Sequence, residues 1–219
     1  ILVSVLMEHL IGMTDTAFLG RVGEVELGAS ALAGVYYLAI FMLGFGFSTV
    51  VQIMIGRRNG EGNYTAIGEL FNQGFVFQFL LATFIFFATR FGSPLLLRHL
   101  IDSPQVYEAT LEYMNRRIFG LFFSFTALMF RAFYVGIADT RTLTANSLVM
   151  VGTNVVLNYI LIFGKLGFPA LGIAGAAIAS VLAEVTSLLF FIVYTGLKID
   201  RQKYRLYRFH RIEIHLVKR

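Results

Sequence analysis

Cysteine and tryptophan are absent from this sequence, proline occurs three times, and charged residues make up only 14% of the 219. The missing cysteine excludes disulfide scaffolds, thiolate metal sites and cysteine nucleophiles. The shortage of charge argues against an ordinary soluble enzyme, because globular domains are about 25% charged. Disorder is excluded as well, since 23 Phe and 10 Tyr cannot be left in water. The chain opens at Ile1, inside an apolar stretch and without a methionine, as expected of a fragment or of a chain trimmed at its start.

Charge placement is more informative than the net +5. From Lys198 to Arg219 eight Lys/Arg face Asp200 and Glu213, a balance of +6, while residues 1–197 carry ten Lys/Arg and eleven acids, or −1. The basic character therefore belongs to a 22-residue tail. What remains reads as membrane spans.

A bilayer crossing needs about 20 mostly apolar residues. Residues 27–56, 70–89 and 142–164 are free of charge over 30, 20 and 23 positions. Residues 118–138 contain only Arg131, residues 166–197 only Glu184, and residues 1–20 are apolar apart from Glu8, His9 and Asp15. The expected fold is an all-α integral membrane protein with six transmembrane helices, near 1–20, 29–56, 69–89, 113–138, 142–163 and 170–197. Polar, turn-rich connections fall at 21–24, 57–63, 139–141 and 164–169. The longest connection, 90–117, carries Pro94, Pro104 and mixed charges, and is expected to lie along a membrane surface. A signal peptide is a poor reading of the first segment, because more spans follow and no small-residue cleavage pattern is visible.

Six spans put both ends on one side, together with Arg57, Arg58 and Arg141. Arg21, Arg90, Arg98, Arg116, Arg117 and Lys165 fall on the other, and the eight tail cations decide in favour of cytoplasmic ends. Tyr204, Tyr207 and Phe209 interleave with arginines in that tail, a pattern also found in nucleic-acid patches. The favoured reading is a linker held beside anionic lipid, which also explains the orientation, and no nucleic-acid partner is expected.

An ionisable residue at mid-membrane costs about 2.5–3.5 kcal/mol on insertion scales, so each is a candidate site. Asp15 sits among small and hydroxyl neighbours, Gly12-Met13-Thr14-Asp15-Thr16-Ala17, which can admit water or a cation; the alternative is an acid at the membrane surface near Arg21. Glu8 lies seven residues earlier on the same helical face. His9 points elsewhere, has no zinc-type spacing around it, and reads as a packing residue. Asn154 and Asn158 stand one turn apart in the fifth span, either as helix glue or as ligands that help hold a cation or tune a carboxylate. Gly172, Ala176 and Ser180 form a small-residue stripe suited to close packing, followed at the same interval by Glu184, which an interior Arg or Asn partner would make structural. Gly34, Gly44 and Gly46 permit close contact in the second span, and the Phe-rich third span reads as lipid-facing.

Four motifs in order resemble the multidrug and toxic compound extrusion (MATE) transporters. They are Met13-Thr14-Asp15-Thr16-Ala17-Phe18-Leu19-Gly20, Val51-Gln52 through Asn59-Gly60, Arg131 through Gly136-Ile137-Ala138-Asp139-Thr140, and Asn154 through Gly164 with Gly167-Phe168-Pro169-Ala170-Leu171-Gly172. The resemblance implies one six-helix lobe of a twelve-helix, two-lobe transporter, with residues 198–219 leading toward the second lobe. It implies antiport in the plasma (inner) membrane, in which drugs or other amphiphilic organic cations leave as H⁺ or Na⁺ enters. It also implies a cation site around Asp15, with Asn154 and Asn158 at the family's paired polar positions. Asn158 replaces the Asp of some members, Glu8 stands where several carry Gln, and Ser180 is the counterpart of a sixth-helix hydroxyl. Oxygens of Asp15, Asn154 and Asn158 suit Na⁺ as a hard cation; no cofactor is expected. Composition alone nominates Tyr36, Tyr37, Phe41 and Met42 for the drug cavity. Two alternatives from other classes remain. A lipid-linked oligosaccharide flippase would line its cavity with several arginines, and an intramembrane enzyme would need a Ser/His or paired-Asp site.

Overall fold

The computed structural model describes residues 2–206, with side chains for 11–200 and 202–206. Its helices are α1 (Leu2–Leu19), α2 (Glu24–Gly60), α3 (Tyr64–Leu100), α4 (Pro104–Arg117), α5 (Gly120–Gly136), α6 (Thr140–Phe163), α7 (Gly172–Lys198) and α8 (Arg201–Tyr204), and no strand occurs among the described residues. The chain is an all-α membrane protein. α2, α3, α6 and α7 are each long and apolar enough to cross a bilayer, and α4 with α5, bent by 51°, supplies a fifth crossing when the pair is taken as one. α1, with 18 residues, occupies the place of the first expected span.

α2 and α3 have 37 residues each, so each is about 55 Å long against a hydrocarbon core of about 30 Å. Hydropathy sees only their apolar middles. The ends are helical too: Glu24 and Glu26 in the first turn of α2 and Arg57 and Arg58 in its last turn suit the helix dipole. The expected loop over 57–63 therefore shrinks to residues 61–63, and Asn63 caps α3 by accepting from Ala66 N at 3.2 Å.

The larger departure concerns 90–117, expected on a membrane surface. Residues 90–100 continue α3 through Pro94, and residues 104–117 form α4, with Pro104 at a helix start where its missing N–H does no harm. α4 packs on α2 and α7 and buries Thr110, Tyr113 and Met114. Its polar composition resembles a surface segment, yet one face of it is interior.

α6 begins at Asp139, whose carboxylate accepts from Thr142 N (3.4 Å) and Thr142 Oγ1 (2.8 Å), and it ends at Gly164 in the left-handed conformation (φ 66°). The chain then turns back, and α6 and α7 form the most extensive helix pair. Gly175 lies against the backbone of α6: a Cβ there would stand 2.6 Å from the Leu161 carbonyl oxygen. This close approach fixes the height of α7 relative to α6 and hence the site they share. Gly44 does the same between α2 and α5, where a Cβ would meet the Phe125 ring at 2.9 Å.

The outer surface of α3 is apolar, as lipid requires: Phe84 and Phe91 are each more than 70% exposed. The third span is lipid-facing only in part, since Phe71 is buried against Phe130 at a centroid distance of 5.1 Å.

Candidate functional site

α1, α6 and α7 converge on Asp15. Asn158 Nδ2 donates to Asp15 Oδ1, and to Asn154 Oδ1 at 3.0 Å. Asn154 Nδ2 donates to Ser180 Oγ at 3.3 Å, and Ser180 Oγ donates to Asp15 Oδ2 at 3.2 Å. The four side chains thus form a closed ring of hydrogen bonds. Asn154 and Asn158 are fully buried and Ser180 nearly so, while Asp15 is half-buried and opens into a cavity. One acceptor in the ring is unused: Asn158 Oδ1 is buried and has no hydrogen-bond partner among the described residues. The i, i+4 spacing of the two amides on α6 sets them one above the other, and the Ser180 position of α7 completes the circuit.

The cavity measures about 370 Å³, within the ~300–1,000 Å³ common for small-molecule sites. A second polar cluster lines the same space. Arg117 makes two hydrogen bonds to Glu184, Nη1 to Oε2 at 2.9 Å and Nη2 to Oε1 at 2.7 Å. Tyr37 donates to Glu184 Oε1 at 3.2 Å and is within hydrogen-bond reach of Ser124 Oγ at 3.3 Å, while the Arg117 guanidinium lies 3.8 Å over the Tyr37 ring. Glu184 is buried and Arg117 nearly so, with side-chain exposures of 7% and 12%. Gly120 makes room for them, because any side chain there would run into Glu184 and Arg117. Bidentate geometry together with the tyrosine satisfies the pair, the condition under which a buried ion pair is tolerable.

The structure brings together Asp15, Asn154, Asn158 and Ser180, and places Glu184 one helical turn beyond Ser180 on α7, in the same cavity and with its own cation. The Glu8 and His9 side chains lie outside the described residues, as do residues 207–219 with Tyr207 and Phe209. Of the four residues nominated for the drug cavity, Tyr37 and Phe41 line it, one helical turn apart. Tyr36 and Met42 do not: Tyr36 packs against the core and Met42 is 49% exposed. On α2 they fall on other faces.

Arg117, Tyr113 and Asn146 also line the cavity and were not anticipated. Arg117 was hidden in the polar run of the presumed surface connection. Asn146 had a usable signal, since it precedes Asn154 by eight residues, about two turns along the same face. Its Nδ2 donates to Ser187 Oγ at 2.8 Å, three residues beyond Glu184 on α7.

The MatE family model matches residues 1–160 of this chain. A probable multidrug resistance protein NorM of Agrobacterium fabrum is 30% identical over 206 residues, 92% of this chain and 43% of its own length. The protein described by the same words in Synechocystis is 30% identical over 184 residues, covering 84% of this chain and 40% of its own. A solved outward-facing multidrug resistance MATE family transporter of the MOP superfamily superposes with a TM-score of 0.88 at 21% identity, over 99% of this chain and 47% of its own. The chain thus spans somewhat under half the length of the relatives it matches.

Proposed function

Because this chain belongs to the MatE family, we propose that it is the lobe of a cation-coupled drug antiporter in which Asp15 carries the coupling ion. The observation that supports this reading is the ring around Asp15, closed on three sides by α1, α6 and α7 and open on the fourth to a ligand-sized cavity. The exported molecules are drugs or other amphiphilic organic cations, held against Tyr37 and Phe41 and attracted by the Asp15 carboxylate. A cation on Asp15 removes that attraction, so drug and coupling ion exclude one another. Exchange follows if the access states differ by only a few kcal/mol, within reach of one binding event.

Asp15 is the only acid of its ring, and we assign H⁺ as the coupling ion. As arranged, Asn158 and Ser180 both donate to Asp15, which suits the carboxylate. On protonation, Asp15 must itself donate, and the unused Asn158 Oδ1 is the acceptor that a turn of the amide would bring to it. The amide therefore serves both forms and reports occupancy of Asp15 to α6. Na⁺ would use the same oxygens, and replacing Na⁺ in the medium separates the two ions. A lipid-linked oligosaccharide flippase is the weaker reading, because Arg117 is already committed to Glu184.

Double-mutant cycles on thermal unfolding in detergent test the shared site. Asp15→Leu combined with Asn154→Leu or Asn158→Leu should show a coupling on the order of 1 kcal/mol or more. Additive losses would return the two amides to helix packing.

The orientation proposed here places both ends in the cytoplasm. Gln202 is exposed on α8, close to the start of α3, where Tyr204 and Tyr64 meet at 5.4 Å. A cysteine placed at Gln202 should resist an impermeant thiol reagent in intact cells and react after lysis. Labelling at equal rates before and after lysis would invert the topology.

A further inference from the structure

Arg131 is the one charged side chain lining the cavity that has no opposite charge or hydrogen-bond acceptor among the described residues. Its guanidinium instead lies 4.9 Å from the Phe45 ring centroid. It belongs to α5, eleven residues past the helix start and five before its end, so it sits well inside a membrane segment. A cation held there without a counter-charge is unfavourable. A guanidinium stacked on one aromatic face keeps its N–H edge free, and that edge matches a carboxylate with two parallel hydrogen bonds.

Ser147, about three helical turns before Asn158 on α6, also lines the cavity and can add a hydroxyl donor. Arg131 and Ser147 offer donors where Asp15 offers an acceptor.

From this we infer that Arg131, with Ser147, forms a subsite for a carboxylate of the transported molecule. The cavity then has an acidic pole at Asp15 and a basic pole at Arg131, and it selects zwitterionic amphiphiles over plain monocations. The inference rests on the export reading given above and sharpens its substrate class.

A matched pair of dyes tests it: a rhodamine with a free carboxylate and its methyl ester, which keeps the cation, loses the anion and is the more apolar. Binding is measured by fluorescence polarisation on the full gene product in phosphatidylcholine nanodiscs. The wild type should bind the free acid at least as tightly as the ester, although apolar burial alone favours the ester. Arg131→Gln should weaken the acid on the order of 10-fold and leave the ester unchanged. Arg131→Lys, which keeps the charge, should recover most of the loss. A wild-type preference for the ester overturns the subsite without any variant having to fold. Equal weakening of both dyes also overturns it, and makes Arg131 a structural residue. If phosphatidylglycerol in the nanodiscs displaces the acid and not the ester, the subsite is a lipid-headgroup site and the proposal fails. Binding of neither dye by the wild type would defeat the export reading itself, whereas intact ester binding with any of the adverse results above defeats only the subsite.

Discussion

Asp15→Asn in the full gene product should reduce drug efflux to the level of cells lacking the gene, with the amount of protein in the membrane little changed. The asparagine has the shape of the aspartate and can still accept from Ser180 or Asn158, so the ring of α1, α6 and α7 stays closed. The stability change should stay near 1 kcal/mol, the value of an ordinary hydrogen bond. Charge is what disappears. An amide neither takes up a proton at physiological pH nor attracts an organic cation, so both halves of the exchange fail together. Drug accumulation in cells expressing matched amounts of the two proteins gives the readout, and efflux at the wild-type rate would remove Asp15 from the mechanism.

The Arg117–Glu184 pair should answer to mutation in the opposite way, through folding rather than transport. Removing either partner leaves the other buried without a counter-charge, at a penalty of about 3–5 kcal/mol. Arg117→Leu or Glu184→Leu should therefore unfold at clearly lower temperature in detergent and accumulate poorly in the membrane. The double replacement, Arg117→Met with Glu184→Leu, should regain most of the loss, because an apolar pair of similar volume avoids desolvating two ions. Additive losses in the double variant would mean that the two charges do not depend on one another. The contrast assigns the two acids facing the cavity to different tasks: Asp15, held by neutral donors, can change its charge, while Glu184, held by a bidentate guanidinium, cannot do so cheaply.

That division was only half legible in the sequence. Asp15 and Glu184 both stand out, because a carboxylate in an apolar run is conspicuous whatever its partner, and only the motif around Asp15 favours it. Helical spacing did place Asn154 and Asn158 on one face, and the ring uses both of them. Their meeting with Asp15 and Ser180 depends on how α1, α6 and α7 pack, which periodicity within one helix does not contain. The Arg117 partner was invisible for a related reason. Hydropathy averages over all faces of a helix, and α4 is polar on average while its Tyr113–Met114–Arg117 face is interior. The ends of α2 and α3 were missed because apolarity marks the part of a helix that lies in lipid, not the part that is helical. Composition alone could not separate Tyr37 and Phe41, which line this cavity one turn apart, from Tyr36 and Met42, which lie on other faces of α2.

The proposed exchange of drug for proton at Asp15 is tested most directly by the protons themselves. Purified full gene product is equilibrated in weakly buffered detergent solution at slightly acidic pH with a pH-indicator dye, and a cationic drug is added to saturation. Each bound drug should expel close to one proton from the wild type, and none from Asp15→Asn. Drug binding by the wild type with no proton release at any pH, or the same release from Asp15→Asn, would contradict the assignment of Asp15 as the proton-carrying group.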